Sequence, residues 1–347
     1  MRSPSGSSWD RFVPPISLMV LAPLVSEVLF GATRLSIFYP TLLLEVGVYG
    51  GAALLIRELA RRRGLGWPAI FLLGIAFGLI EECVMLQTSV SPFFFRKAPA
   101  EIYGWAFGVN WVYLLWAVVF ESAWCIALPI QLVELLFPAR REAPWLGRPG
   151  LLIASLVFVL ASVAVWYRWI FIVAPALTPD HRPYQAPVLE QGLALLAAVG
   201  LVMMGLGLRR PVHPTQERSR RAPRPWLLGL FIFVPAVLWF ALPILVFVAT
   251  SSLSMVPTLL IGMALIGGVA ALVRRWAGGE GWRDAHRLAL ISGALLASML
   301  TGYLVNGVLM SVPDLITKLV LNVLALVALI VMAWRLRQER RGSAAVL

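Results

Sequence analysis

Two adjacent carboxylates, Glu81 and Glu82, interrupt the apolar run Trp67 to Leu86, WPAIFLLGIAFGLIEECVML. An ionisable group inside a membrane-length segment is expensive, because it must face protein or a water-filled cavity, and it marks a functional position by default. Carboxylates of this kind bind protons, cations or amines, or serve as general bases. Glu45, Glu27 and Arg168 also fall inside apolar runs, and Glu121 lies near the middle of one. At about 1.5 Å of rise per residue, Glu81, Glu82, Glu45, Glu27 and Arg168 lie within about 5 to 15 Å of the outer boundary. Glu134 lies close to the opposite boundary, near Arg140 and Arg141, toward which it is expected to snorkel.

The candidates for substrate or ion binding are therefore Glu81, Glu82, Glu121, Glu45, Glu27 and Arg168. Arg168 is expected to neutralise one of the acids. A neutral glutamic acid can also donate a hydrogen bond between helices, and that structural role competes most strongly for Glu27 and Glu45. No metal set of histidines and cysteines is visible, so neither a metal nor a cofactor is expected. HExxH, GxSxG and glycine-rich phosphate motifs are absent from the sequence.

Placing these groups requires helices. At about 100° per residue, Gly74, Gly78, Glu81, Glu82 and Met85 share one broad stripe, so a small-residue packing face leads to the acidic pair. The preceding run has its own GxxxG, Gly47 and Gly51, with Glu45 on the opposite side of that helix. If the two glycine faces pack together, Glu45 points away from Glu82.

Apolar runs occur at about 12 to 30, 40 to 56, 67 to 86, 108 to 137, 151 to 177, 187 to 208, 226 to 249, 257 to 273, 288 to 310 and 315 to 335. With 60% hydrophobic and 13% charged residues, the composition excludes a soluble enzyme and a disordered chain. The runs are continuous and roughly twice the length of a barrel strand, which excludes a β-barrel. The expected fold is all-α, a polytopic membrane bundle of about ten transmembrane helices.

Of the 29 Lys and Arg residues, 23 fall in the two tails and alternate loops, Arg57 to Arg63 among them, and Lys318 is counted with the opposite loops, a bias that places both termini in the cytoplasm. The same bias accounts for the net charge of +12, so nucleic acid is not an expected partner. The expected partners are a lipid bilayer, most simply a bacterial cytoplasmic (inner) membrane, and anionic lipids at the arginine-rich loops. The first run lacks an A-x-A cleavage site and reads as a retained span.

Three regions are expected. Residues 1–208 form a six-span half carrying the intramembrane acids, 209–225 a basic proline-rich linker, and 226–347 a more uniformly apolar four-span scaffold. The connection from Gln87 to Phe107 is too aromatic for a simple solvated loop, and reads either as a segment folded over the outer mouth or as a loop at the headgroups.

Paired glutamates near the end of a span resemble the first motif, EExxxR, of the CAAX-prenyl-protease-like intramembrane peptidases. Here Leu86 stands in place of the arginine, and Phe120 is followed by ESAW where that family has a histidine. His181, His213 and His286 fall in loops. The similarity ends at two residues and no site is carried over. The leading expectation is transport or permeation of a cation, a proton or an amine-bearing substrate through an outer-facing acidic cavity. The alternatives are a membrane scaffold or accessory subunit with structural acids, and a glutamate-dependent intramembrane hydrolase.

Overall fold

The computed structural model describes residues 12–208 and 221–345. The basic tail residues Arg2 and Arg11, most of the expected linker, and His213 lie outside them. Each predicted apolar run coincides with a helical stretch. These are α1 (Val13–Val28), α2 (Phe38–Glu45, Val46–Gly50 and Gly51–Arg62 in succession), α3 (Trp67–Met85), α4 (Trp111–Leu136), α5 (Arg148–Ala176), α6 (Val188–Gly207), α7 (Pro225–Val248), α8 (Val256–Ala277), α9 (Asp284–Leu309) and α10 (Val312–Ala345). Eight of them, α3 to α10, are long and apolar enough to cross a bilayer. The fold is an all-α, multi-pass membrane protein.

The helices begin where local chemistry directs. Proline occupies the first turn of α3, α5 and α7, where its missing N–H costs nothing. Asn110 caps α4 by accepting from Tyr113 N at 3.0 Å.

By packing, the chain divides into two compact units interleaved in sequence: Met1–Ser26, Tyr39–Arg210 and Leu242–Leu260 in the first, and Glu27–Phe38, Pro211–Ala241 and Ile261–Leu347 in the second.

In the first unit, α3 packs against α4 and α6. Its small residues allow that approach: a methyl group at Gly74 would fall 2.6 Å from Ser122 Oγ, and one at Gly78 would fall 3.0 Å from Glu121 Cβ. The glycine stripe of α3 therefore leads to the acids, as its spacing indicated. Gly47 and Gly51 pack instead against Ala161 and Phe158 of α5, so the two glycine faces do not meet. α4 is the most enclosed span, while α5 and α6 present rows of exposed Leu, Ile and Val suited to lipid.

The connection from Gln87 to Asn110 is folded, with residues 87–91 and 102–104 buried and 98–101 exposed. Phe94 and Phe95 pack against Tyr113 at 5.3 and 5.5 Å between ring centroids, and a short hairpin pairs Trp105 with Asn110.

In the second unit, α7 and α9 form the closest pair, and a methyl group at Gly293 would fall 2.3 Å from the Gly229 carbonyl oxygen. This unit is less uniformly apolar than expected. Lys318, counted from sequence among loop residues, lies within α10 and is 3% exposed. Its ammonium donates to the carbonyls of Leu29 and Met299 and lies 4.5 Å from the centre of the Tyr303 ring.

One local feature sets the first five helices apart. Each contains a π-helical turn: Leu24–Val28, Val46–Gly50, Glu81–Met85, Glu121–Ala127 and Trp169–Val173. Among the described residues none occurs in α6 to α10. A π-helical turn inserts one residue into an α-helix, rotates the side chains beyond it, and recurs at functional sites. Four of these five turns carry a glutamate or the tyrosine that contacts one.

Candidate functional site

The π-helical turn of α3 starts at Glu81, and the Leu86 N–H reaches back to the Glu81 carbonyl at 2.8 Å. The turn of α4 starts at Glu121, opposite Gly78. Together they bring Glu81, Glu82 and Glu121 into one cluster, in which one ligand oxygen from each lies within 4.8 Å of the other two. All three side chains are buried, with 1%, 5% and 3% exposure.

Hydroxyl groups orient two of them. Tyr49, on the π-helical turn of α2, donates to Glu81 Oε1 at 2.8 Å. Thr88 and Ser89 donate to Glu82 Oε2, Ser89 at 3.2 Å. These two can fold back because Gln87 adopts a left-handed conformation, φ 55°, that ends α3 sharply. Gln87 is held there by Ala186 N, which donates to its Oε1 at 2.7 Å.

The electrostatics are one-sided. Neither Glu81 nor Glu82 is paired with a basic side chain among the described residues. Glu81 Oε2 is sealed from solvent with no hydrogen-bond donor while both it and Glu121 are ionised. Like charges this close in a low-dielectric interior repel strongly, so a proton or a cation must offset them. The donor set is all oxygen, which suits hard cations. Sequence reasoning expected no metal because it looked for histidine and cysteine; Cys83 instead packs into an apolar cluster with Val90, Leu114 and Val118.

The other candidates fall elsewhere. Glu45 is half-buried and outside the cluster. Glu27 belongs to the second unit, where its carbonyl accepts from Gly31 and Ala32 at 2.8 and 2.9 Å and ends α1. Arg168 is half-exposed and makes no ion pair among the described residues, so its expected neutralising contact is not formed. It precedes the π-helical turn of α5, beyond which uniform helical arithmetic no longer predicts direction.

Tyr49, Thr88 and Ser89 were missed. Tyr49 carries a polar tip on an otherwise apolar, glycine-rich face, a signal that it needs a partner. Thr88 and Ser89 gave no signal, since they reach Glu82 only through the turn at Gln87. No protein-family model, curated protein or solved structure matches this chain.

A second buried charge cluster lies at the arginine-rich end of the same unit. Arg57 is fully buried, not part of a loop as counted from sequence. Its Nε donates to Glu134 and its Nη1 to Glu58, both at 3.1 Å, and its Nη2 donates to the carbonyls of Arg141 and Ala143 at 3.0 and 3.1 Å. Its guanidinium lies 3.2 Å from the centre of the Trp145 ring. Arg61 forms a two-pronged pair with Glu134 at 2.8 and 2.7 Å. Glu58 accepts from the backbone N–H groups of Trp145 and Leu146 at 2.6 and 3.2 Å. Glu134 thus turns to Arg57 and Arg61, not to the side chains of Arg140 and Arg141, because α2 presents both arginines one turn apart on the face toward it.

Proposed function

We propose that this is a transport or permeation protein in which Glu81, Glu82 and Glu121 bind a proton or a cation within the membrane. The convergence of three buried carboxylates within 4.8 Å carries this reading, because among the described residues no basic side chain pairs with Glu81 or Glu82. Opposite ligands of a hard cation such as calcium stand about 5 Å apart, so this spacing suits a proton or a bare ion better than a bulky amine. Tyr49, Thr88 and Ser89 hold the carboxylates in place and supply donors that replace water.

The excess of arginine in alternate loops supports a topology with those loops and both termini in the cytoplasm, where they contact anionic lipid. The acids then lie in the outer half of the bilayer.

Reconstitution into liposomes tests the proposal. The native protein should carry a proton- or cation-dependent flux that Glu82→Gln abolishes while the variant remains folded. Retained flux in that variant would refute the role. A loss of folding alone would favour acids that serve only to hold helices together.

A further inference from the structure

A polar site distinct from the acidic cluster lies in the second unit, and its assignment rests on the proposed cytoplasmic placement of the arginine-rich loops. An open pocket of about 400 Å³ forms where residues 221–225, leading into α7, meet residues 280–286, leading into α9. Its floor is fastened: Ala222 N donates to the Glu280 carbonyl at 3.0 Å, and His286 clips the two strands of chain together. His286 Nδ1 accepts from Arg283 N at 3.2 Å, so Nε2 carries the proton and donates to the Pro223 carbonyl at 2.8 Å. With both ring nitrogens engaged and Trp282 stacked on it at 5.1 Å, this imidazole is a fixed strut.

The walls are cationic. Arg221, Arg224 and Arg283 line the pocket, are exposed, and make no ion pair among the described residues. Glu280 contributes one carboxylate. The N-terminus of α9, a helix whose first turn opens at Asp284, adds the positive end of its dipole.

We infer that this pocket binds a phosphoanion. Three guanidinium groups present the planar paired donors that phosphate oxygens accept, and they do so on a floor already ordered before binding. The apolar stretches of α7 and α9 begin just beyond the pocket, with Trp226 at the start of α7 and Trp276 near the end of α8, positions tryptophan favours at a membrane interface, so the site suits headgroup depth. The phosphate comes from an anionic phospholipid headgroup or from a soluble phosphate.

Native mass spectrometry of the full-length protein, taken from vesicles of equal parts phosphatidylcholine and phosphatidylglycerol, tests the site. The native chain should retain a phosphatidylglycerol. The triple variant Arg221→Gln/Arg224→Gln/Arg283→Gln should bind it roughly a hundredfold more weakly, at about fivefold per arginine. The charge-matched control Arg274→Gln/Arg275→Gln/Arg337→Gln, outside the pocket, should retain it, and Arg224→Lys should fall between. Equal loss in both triple variants, or retention in the pocket variant, overturns the inference. Inorganic phosphate titrated into protein in neutral detergent separates the sources: arginine-dependent binding of phosphate that displaces the lipid assigns the site to a soluble anion, and lipid retention indifferent to phosphate assigns it to the headgroup.

Discussion

The first unit buries two clusters of charged side chains, and they follow opposite plans. At the arginine-rich end, Arg57 and Arg61 face Glu58 and Glu134, so two positive charges meet two negative ones. Every nitrogen of Arg57 has an acceptor, and the residues after α4 are tied down through their own carbonyls. That cluster pairs charges of both signs, leaves only Arg61 Nη1 without an acceptor among its described guanidinium nitrogens, and acts as a staple. The cluster of Glu81, Glu82 and Glu121 brings three acids together, with hydroxyl groups on Glu81 and Glu82 and no basic partner for those two among the described residues, and lies on helical turns that widen the backbone. The two clusters are equally buried but differ in neutralisation, and that difference is what the proposed exchange of a positive partner rests on.

The largest effect of breaking this contrast should come from the staple. Arg57→Leu strips Glu58 and Glu134 of the buried guanidinium they share and frees the carbonyls of Arg141 and Ala143, at a cost of about 3 kcal/mol, read as a large fall in thermal midpoint in detergent. The same operation on the other cluster should have the opposite sign. Glu81→Gln removes a like charge, so the midpoint should hold or rise while flux in liposomes is lost; a fall as deep as that of Arg57→Leu would make the acids structural.

Gly74→Val drives a side chain into Ser122 and should destabilise by about 1 to 3 kcal/mol in chemical unfolding. It should lower flux as well, since the α3 to α4 approach sets the distance between Glu82 and Glu121. The smallest effect is expected for Tyr49→Phe, which deletes one donor to Glu81 at a cost of about 1 kcal/mol. Flux should be reduced but not abolished in that variant.

The spans were legible because length and hydropathy suffice to place a membrane helix, and the stripe from Gly74 through Gly78 to Glu82 was legible because α3 is regular up to Ile80. Beyond that point, fixed angular steps fail. The π-helical turns at Val46–Gly50 and Glu121–Ala127 rotate Tyr49 and Glu121 relative to the residues before them, and nothing in the local sequence announces such an insertion. Arg57 looked like a loop residue because basic residues crowd Arg57 to Arg63, and only the three-dimensional partners Glu134 and Trp145 explain its burial. Lys318 was misread for the same reason: its acceptors, Leu29 and Met299, are distant in sequence. Depth grouped Glu81, Glu82, Glu45, Glu27 and Arg168 and set Glu121 deeper, but depth does not fix direction, and Glu121 is the one that joins Glu81 and Glu82.

Infrared difference spectroscopy of the protein in lipid nanodiscs is the most direct test of the acidic cluster. Changing pH or adding a hard cation should alter the absorption bands of buried carboxyl groups in the native chain, and Glu81→Gln/Glu82→Gln/Glu121→Gln should remove that change. A native spectrum that stays constant across both titrations would show the three acids to be sealed and inert, contradicting a binding role.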